Sequence, residues 1–381
     1  MANILLTGGR APAALELARA FHNAGHTVFM AESWRGHLSQ PSNAVKANFI
    51  VPAPRQEKEA FLVALKKIIV ENKIDLLIPT CEEVFYIAMG REQLPCTVFV
   101  EPLKKLKTMH NKWTFVVNAV EQELPVPETM LINNMEDMLH AYAQWKELVL
   151  KPVYSRFAAR TLITPSLKYA SSTLKVNSRS PWIAQGYIEG KEICTYSIVH
   201  NGHITAHTAY PSTFTAGQGA TIVFRHMDHP AIYDWINRFV KINHFTGQIA
   251  FDFIETADGE IYALECNPRA TSGAHLLASQ PQFVEAFLNP QMDCITPRNH
   301  NSYMLSTAML IYGLTAAFKK KQFANWINTF FTSSDVILDF KDPLPFLLQF
   351  RSIFSYLRIA RKQGISPLEA STFDIEWNGE D

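Results

Sequence analysis

The chain has 381 residues, in which 35 lysines and arginines are matched by 35 aspartates and glutamates. That length allows two or three domains and a sizeable core, and the balanced charge without like-charge blocks argues against nucleic acid and for small-molecule partners. Five cysteines, Cys81, Cys96, Cys194, Cys266 and Cys294, stand far apart with no Cys-x-x-Cys, which argues against a disulfide framework or a zinc site and fits a reducing, cytoplasmic setting.

Met1-Ala2-Asn3-Ile4 enters a strand with no basic region or cleavage-type segment. Asn3 to Thr7 reads as a buried strand, Gly8-Gly9 as a turn, and Pro12 to Ala24 as a helix opened by proline and closed by Gly25. Thr27 to Ala31, Phe49 to Val51, Asp75 to Pro79 and Thr97 to Val100 continue as strands, with a helix over Lys58 to Glu71. This alternation predicts an α/β domain with an open parallel sheet. A dinucleotide site with Glu32 on a ribose is disfavoured, because Arg10 stands where a glycine should let the backbone approach phosphates. Glu82-Glu83, after the fourth strand, either lines a ligand crevice or opens a helix; the helix start is the preferred reading.

Leu103 to Glu123 reads as one helix carrying Lys112, and Met135 to Lys146 as another. Leu148 to Pro152 is an apolar strand ending on Lys151, a placement suited to reaching a phosphate. Ser155, Arg156 and Arg160 add donors for an anion. Trp182 to Gly186 leads into a hairpin turned at Asn201-Gly202. His200, His203, His207, His226 and His229 lack ligand spacing and read as solvated turn residues rather than a metal cluster. Thr215 to Ala220 reads as a flexible loop.

Gly247 to Arg269 is the most informative stretch. Asp258-Gly259 predicts a type I′ two-residue turn with Ala257 facing Glu260, so that Asp252 falls opposite Glu265 and Asn267 lies two residues further along the same face. A four-residue loop would leave the carboxylates diagonal on one face; a three-residue loop would break the pairing. Two facing carboxylates and an amide make an oxygen-only set suited to a hard divalent cation such as Mg²⁺.

The ordered set Lys112, Lys151-Pro152, Gln185-x-Tyr187-Ile188-x-Gly190-x-Glu192, Asp252 and Glu265-x-Asn267-Pro268-Arg269 resembles the ATP-grasp superfamily of carboxylate-amine ligases, over about residues 1 to 290. The resemblance implies that Lys112 and Lys151 hold nucleotide phosphates, Gln185 with the Tyr187-Ile188 backbone the adenine edge, and Glu192 the ribose. It implies Mg²⁺, or Mn²⁺, on Asp252, Glu265 and Asn267. Arg269, with Arg225, is the catalytic candidate for the transferring phosphoryl group. The glycine-rich flap usual after the second lysine is replaced by the glycine-free Tyr154 to Thr161, where either Ser155, Arg156 and Arg160 substitute with side chains or the flap closes differently.

Tyr303 to Phe318, the longest apolar run, is short of the roughly 20 residues that span a bilayer and reads as a buried helix. Phe346, Phe350, Ile353, Phe354 and Leu357 form a helical apolar stripe beside Arg351, Arg358, Arg361 and Lys362. Such a helix suits a membrane surface or a greasy substrate, but packing on the catalytic domain is the expected arrangement. The expected organisation is a pre-ATP-grasp domain over 1–105, a small lobe over 106–182, a large lobe with the metal site over 183–299 and a helical addition over 300–381. The activity implied is ATP-dependent coupling of a small carboxylate to an amine through an acyl-phosphate, releasing ADP and phosphate. Bicarbonate as the acid and a nucleotide-binding regulator without turnover are the alternatives, and a homo-oligomer is left open.

Overall fold

The structure is a computed structural model that describes residues 1–155, 160–174, 176–177, 180–217, 219–319 and 321–379. The N-terminal residues form a five-stranded parallel sheet in the order Ala47–Ile50, Thr27–Glu32, Asn3–Thr7, Leu76–Ile78, Thr97–Val98. The order reverses direction beside Asn3–Thr7, and the loops leaving Thr7 and Ile78 meet at that switch point, where open α/β sheets bind ligands.

The segment expected as one helix is two, Leu103–His110 and Lys112–Glu121. Asn111 breaks it: its backbone is extended and its side chain accepts hydrogen bonds from the amides of Trp113 and Thr114 at 3.0 Å. An asparagine that caps a new helix turns the chain there, and Lys112 becomes the first residue of the second helix.

A four-stranded sheet ordered Thr129–Ile132, Trp182–Gly186, Leu148–Pro152, Leu162–Ile163 forms the small lobe. Trp182–Gly186 lies wholly within this sheet, so the lobe extends past the expected 182/183 boundary. The large lobe is an antiparallel sheet ordered His203–Pro211, Lys191–His200, Gly247–Glu255, Ile261–Asn267. Behind it lies the helix Pro230–Ile242, whose Trp235 and Phe239 pack with Phe115, Phe251 and Phe253. Each such ring contributes about 1.5–3 kcal/mol on burial, which makes the sheet a rigid base for its other face.

Thr215–Ala216 and Ala220–Thr221 pair as a short antiparallel hairpin where a flexible loop was expected. Val223–Arg225 pairs with Ser302–Met304, which in turn pairs with Ser334–Asp335, so sheet hydrogen bonds cross residue 300. Tyr303 to Phe318 is therefore not one buried helix. It starts in that strand and continues as helical turns with a π-helical segment, Met309–Gly313, in which Leu310 and Ile311 are exposed.

The helix Leu344–Gln363 packs on the N-terminal domain with only part of its apolar stripe: Phe346 meets the core, Ile353 and Leu357 line the cavity, and Phe350 and Phe354 face outward. Its inward residues are Pro345, Gln349, Ser352 and Ala360. Ser352 donates to the carbonyl of Gly36 at 2.9 Å, Gln349 Oε1 accepts from Thr307, and Tyr356 meets Trp34 edge-on. Specific hydrogen bonds at these positions outweigh hydrophobic periodicity and turn Phe350 and Phe354 outward. No helix among the described residues is long and apolar enough to cross a membrane, and all five cysteines are free.

Candidate active site

The hairpin brings Asp252 directly opposite Glu265, as expected, but by a different route. The turn has three residues, Ala257, Asp258 and Gly259: Thr256 N donates to Glu260 O at 2.9 Å, Glu260 N donates to Thr256 Oγ1 at 3.1 Å, and Gly259 N donates to Thr256 O at 3.1 Å. Only Gly259 has positive φ, at +87°, which is a type I turn closed by a left-handed glycine rather than type I′. A straight ladder from that turn would pair Asp252 with Leu264 and send Glu265 to the opposite face. A β-bulge between Asp252 and Phe253 absorbs Leu264 and restores the pairing. Leu264 and Glu265 both face the cavity as a result.

Asn267 Nδ2 lies 3.4 Å from Asp252 Oδ2 and 3.5 Å from Glu265 Oε1, so the three side chains share one face. As placed, the amide turns its nitrogen to the carboxylates and its oxygen to Arg269 Nη2 at 3.2 Å. A cation would need the amide reversed, an assignment the hydrogen-bond network alone decides. Burial and the facing Glu265 push the carboxyl of Asp252 well above the usual carboxylate range. Burial also works against Glu265, yet Lys112 and Lys151 overcome it and hold that carboxyl low. Two carboxyls facing each other, one of them raised by burial and by its neighbour's charge, are a fit for a divalent cation, which would favour the charged form of both.

Lys112 Nζ sits 3.2 Å from Glu265 Oε2 and donates to Ser155 O at 3.2 Å. It supports Glu265 from behind and does not line the cavity, whereas Lys151 and Ser155 do. Burial lowers the pKa of Lys151 against the pull of Glu265. Arg269 lines the cavity, with Nε 3.8 Å from Glu82 Oε1. Sequence reading took Glu82-Glu83 as a helix start. Glu83 fits that, accepting from the amides of Thr80 and Cys81 at 3.0 Å, while Glu82 turns to Arg269 and to the amide of Trp377 at 3.0 Å. No local pattern signals that role. Buried His110, held down to about 4 by desolvation, stays neutral beside this group.

Gln185, Tyr187, Ile188 and Glu192 line the same cavity. Gln185 is buried and donates to Thr129 Oγ1, and Tyr187 N donates to Glu147 O. Gly190 is required by a close approach: a Cβ there would lie 2.3 Å from the carbonyl of Glu255. Arg225 is not brought to the site; it is exposed on its strand and does not line the cavity. Arg156 lies outside the described residues.

The five histidines bind no common centre, and among the described residues no group of three or more His, Cys, Asp or Glu has metal-site geometry. The expectation that they are solvated fails for two of them. His207, within the long strand His203–Pro211, and His226, just after Val223–Arg225, are buried and bonded to Ser197 and Thr208, each at 2.9 Å.

Glu32 has no capacity for a ribose. Its carboxylate accepts from the backbone and side chain of Arg10, whose guanidinium also pairs with Asp374.

The cavity has a volume of about 790 Å³ and runs from the small lobe past the hairpin to the switch point and the C-terminal addition. A cleft between two lobes, floored by an acidic hairpin, is the arrangement expected of an ATP-grasp domain. The ATP-grasp domain family matches residues 109–273, a stretch that contains Lys112 through Arg269, so this part of the chain is an ATP-grasp domain. Among solved structures it is similar to N5-carboxyaminoimidazole synthetase from Staphylococcus aureus complexed with ADP (13% identity over 84% of this chain and 86% of that one, TM-score 0.66). It is similar too to L-amino acid ligase from Bacillus licheniformis (15% identity, 77% and 75%, TM-score 0.60). A third is the biotin carboxylase domain of the 2-oxoglutarate carboxylase from Hydrogenobacter thermophilus, in complex with MgADP, ADP and bicarbonate (14% identity, 71% and 65%, TM-score 0.57). At these identities the likeness is one of fold. No curated protein matches the chain in sequence.

Proposed function

We propose that the chain is an ADP-forming ligase that activates a carboxylate as an acyl-phosphate and passes the acyl group to an amine. The observation that carries this reading is the grouping of Asp252, Glu265 and Asn267 on one face, with Lys151 and Arg269 on the wall of the same cavity. Gln185, the carbonyl of Tyr187 and the backbone of Ile188 serve the adenine edge, since the Tyr187 amide is already bonded. Glu192 serves the ribose. Mg²⁺ or Mn²⁺ on Asp252, Glu265 and Asn267 would neutralise charge on the phosphate oxygens.

A carboxylate oxygen attacks the γ-phosphorus, and the bond to the β-phosphate oxygen breaks, so ADP leaves with that electron pair. Lys151 and Arg269 hold positive charge against the spectator oxygens while the bond changes. The amine nitrogen then attacks the acyl carbon, phosphate leaves, and the proton lost from nitrogen goes to solvent. Glu82, close to the Arg269 guanidinium, orients it.

The test is capture of the acyl-phosphate. With the acid present and hydroxylamine in place of the amine, a hydroxamate should form together with ADP, and Arg269→Ala should slow it by about a hundredfold to a thousandfold. AMP and pyrophosphate as products would overturn the reading. The likeness to a domain crystallised with bicarbonate supports a second reading, bicarbonate as the acid, which predicts ADP release that needs bicarbonate alone.

A further inference from the structure

The cavity continues past the acidic hairpin and Arg269, and the C-terminal addition lines that end of it. The lining residues contributed by 302–379 include Leu305, Ile311, Ile353 and Leu357 and no charged side chain. Arg351, Arg358, Arg361 and Lys362 of the same helix are exposed and do not line it. Across the cavity the N-terminal domain adds Ala11 and Leu38.

Charge on the cavity wall is unevenly placed. Lys151, Glu192, Asp252, Glu265 and Arg269 belong to the nucleotide and phosphoryl region. The remaining cation near the addition, Arg10, is held between Glu32 and Asp374, and His275 Nδ1 is 2.7 Å from Glu16 Oε2. An acid carrying a second anionic group, such as a sugar phosphate or a dicarboxylate, would find no uncommitted cation among the described lining residues in this part of the cavity.

Ile311 and Leu357, 50% and 39% exposed, line the cavity while still open to water. Apolar wall left wet in a ligand-binding cleft gains most from a ligand that covers it.

We propose that the acid activated here carries a hydrocarbon body, alkyl or aryl, seated against Leu305, Ile311, Ile353 and Leu357 with its carboxylate at Arg269. The proposal rests on the ligase reading. It assigns the addition the work of substrate selection, since the acid must extend away from the γ-phosphate and the addition's share of the wall, which also holds neutral polar side chains such as Thr307, Gln349 and Tyr356, offers this aliphatic group and no charge.

The experiment uses the full chain with ATP, Mg²⁺ and hydroxylamine, and follows ADP and hydroxamate for acetate, butanoate, hexanoate, octanoate and 3-phenylpropanoate against glycine, succinate and bicarbonate. The kcat/KM should rise about fourfold per methylene until the chamber is full, the ratio given by ~0.8 kcal/mol per buried methylene. Ile353→Asp and Leu357→Asp should each raise KM for hexanoate at least tenfold while leaving the Kd for ADP unchanged. Acid-dependent ADP release that ignores chain length, or that bicarbonate, glycine or succinate supports best, would overturn the hydrocarbon chamber and leave the ligase standing. Unchanged KM in both variants would overturn it as well. No ADP release with any acid or with bicarbonate would overturn the ligase reading, and the chamber with it.

Discussion

Two carboxylate pairs sit in this molecule under opposite electrostatic terms. Glu32 and Asp374 share the guanidinium of Arg10, so their charges are compensated by the chain itself. Asp252 and Glu265 face one another across a hairpin with Lys112 and Lys151 on the Glu265 side, and the carboxyl of Asp252 is left above its usual range. In the first group both carboxylates bond one guanidinium directly and the contact holds structure together; in the second the two lysines bear on Glu265, and burial with the facing Glu265 leaves the Asp252 carboxyl raised. A guanidinium bonded to both acids makes a joint, whereas two carboxylates set face to face on a cavity wall make a candidate cation site.

The largest effect should come from removing the unfilled charge. Asp252→Asn or Glu265→Gln should reduce ADP release on the order of a thousandfold or more, with the fold retained. Mg²⁺ with ATP should then raise the Tm of the variant far less than that of the wild type. Equal shifts in the two proteins would place the metal elsewhere.

Arg10→Ala tests the other side of the comparison. It leaves Glu32 and Asp374 buried without their cation and should destabilise by about 3–5 kcal/mol in denaturant unfolding. The Kd for ADP in the folded fraction should stay close to the wild-type value. A loss of ADP affinity larger than the loss of stability would make the joint part of the site.

The smallest effect lies in pH. In the metal-free protein Asp252 keeps its proton to higher pH than in the unfolded chain, where a carboxyl titrates at about 3.9. Between the two values the folded state binds more protons, so this contribution to stability falls as pH rises through that window. Glu265 has the opposite sign: its depressed pKa adds stability above the unfolded value, lost as pH falls through the folded one. The difference in stability between wild type and Asp252→Asn should therefore shift against the wild type on raising pH, and saturating Mg²⁺ should abolish that trend. A pH-independent difference would show that Asp252 is not raised.

Much of this site was legible because its parts are local. Lys151 terminates an apolar strand, and the alternation of strand side chains puts Asp252, Glu265 and Asn267 together. The pairing itself was anticipated through a two-residue turn, whereas the protein reaches it with a three-residue turn and a bulge. Neither irregularity has a residue requirement that alternation reveals. Asn111 is an ordinary helix cap in hindsight, hidden in a segment with continuous helical character. Glu82 and Asp374 gain their meaning from contacts between residues distant in sequence, and the Leu344–Gln363 helix shows periodicity identifying a stripe that packing then divides, Phe346 to the core, Ile353 and Leu357 to the cavity, Phe350 and Phe354 to the outside. Arg225 illustrates the converse, since a basic residue at a strand end is drawn to a site only if the sheet it joins faces that way.

The bulge at Leu264 gives the acidic strand an unusual tolerance to loss. Deleting a residue from an active-site strand ordinarily rotates everything beyond it onto the wrong face. Here, removing Leu264 excises the irregularity itself: Ala263 stays against Phe253, Glu265 stays against Asp252, and the ladder closes without a gap. Nearby deletions at Tyr262 or Ala263 would instead exchange a core residue for an outward one. An insertion-deletion scan of the hairpin should thus find one permissive position beside the proposed metal ligands, a place where the gene can shorten by a codon without forfeiting the chemistry.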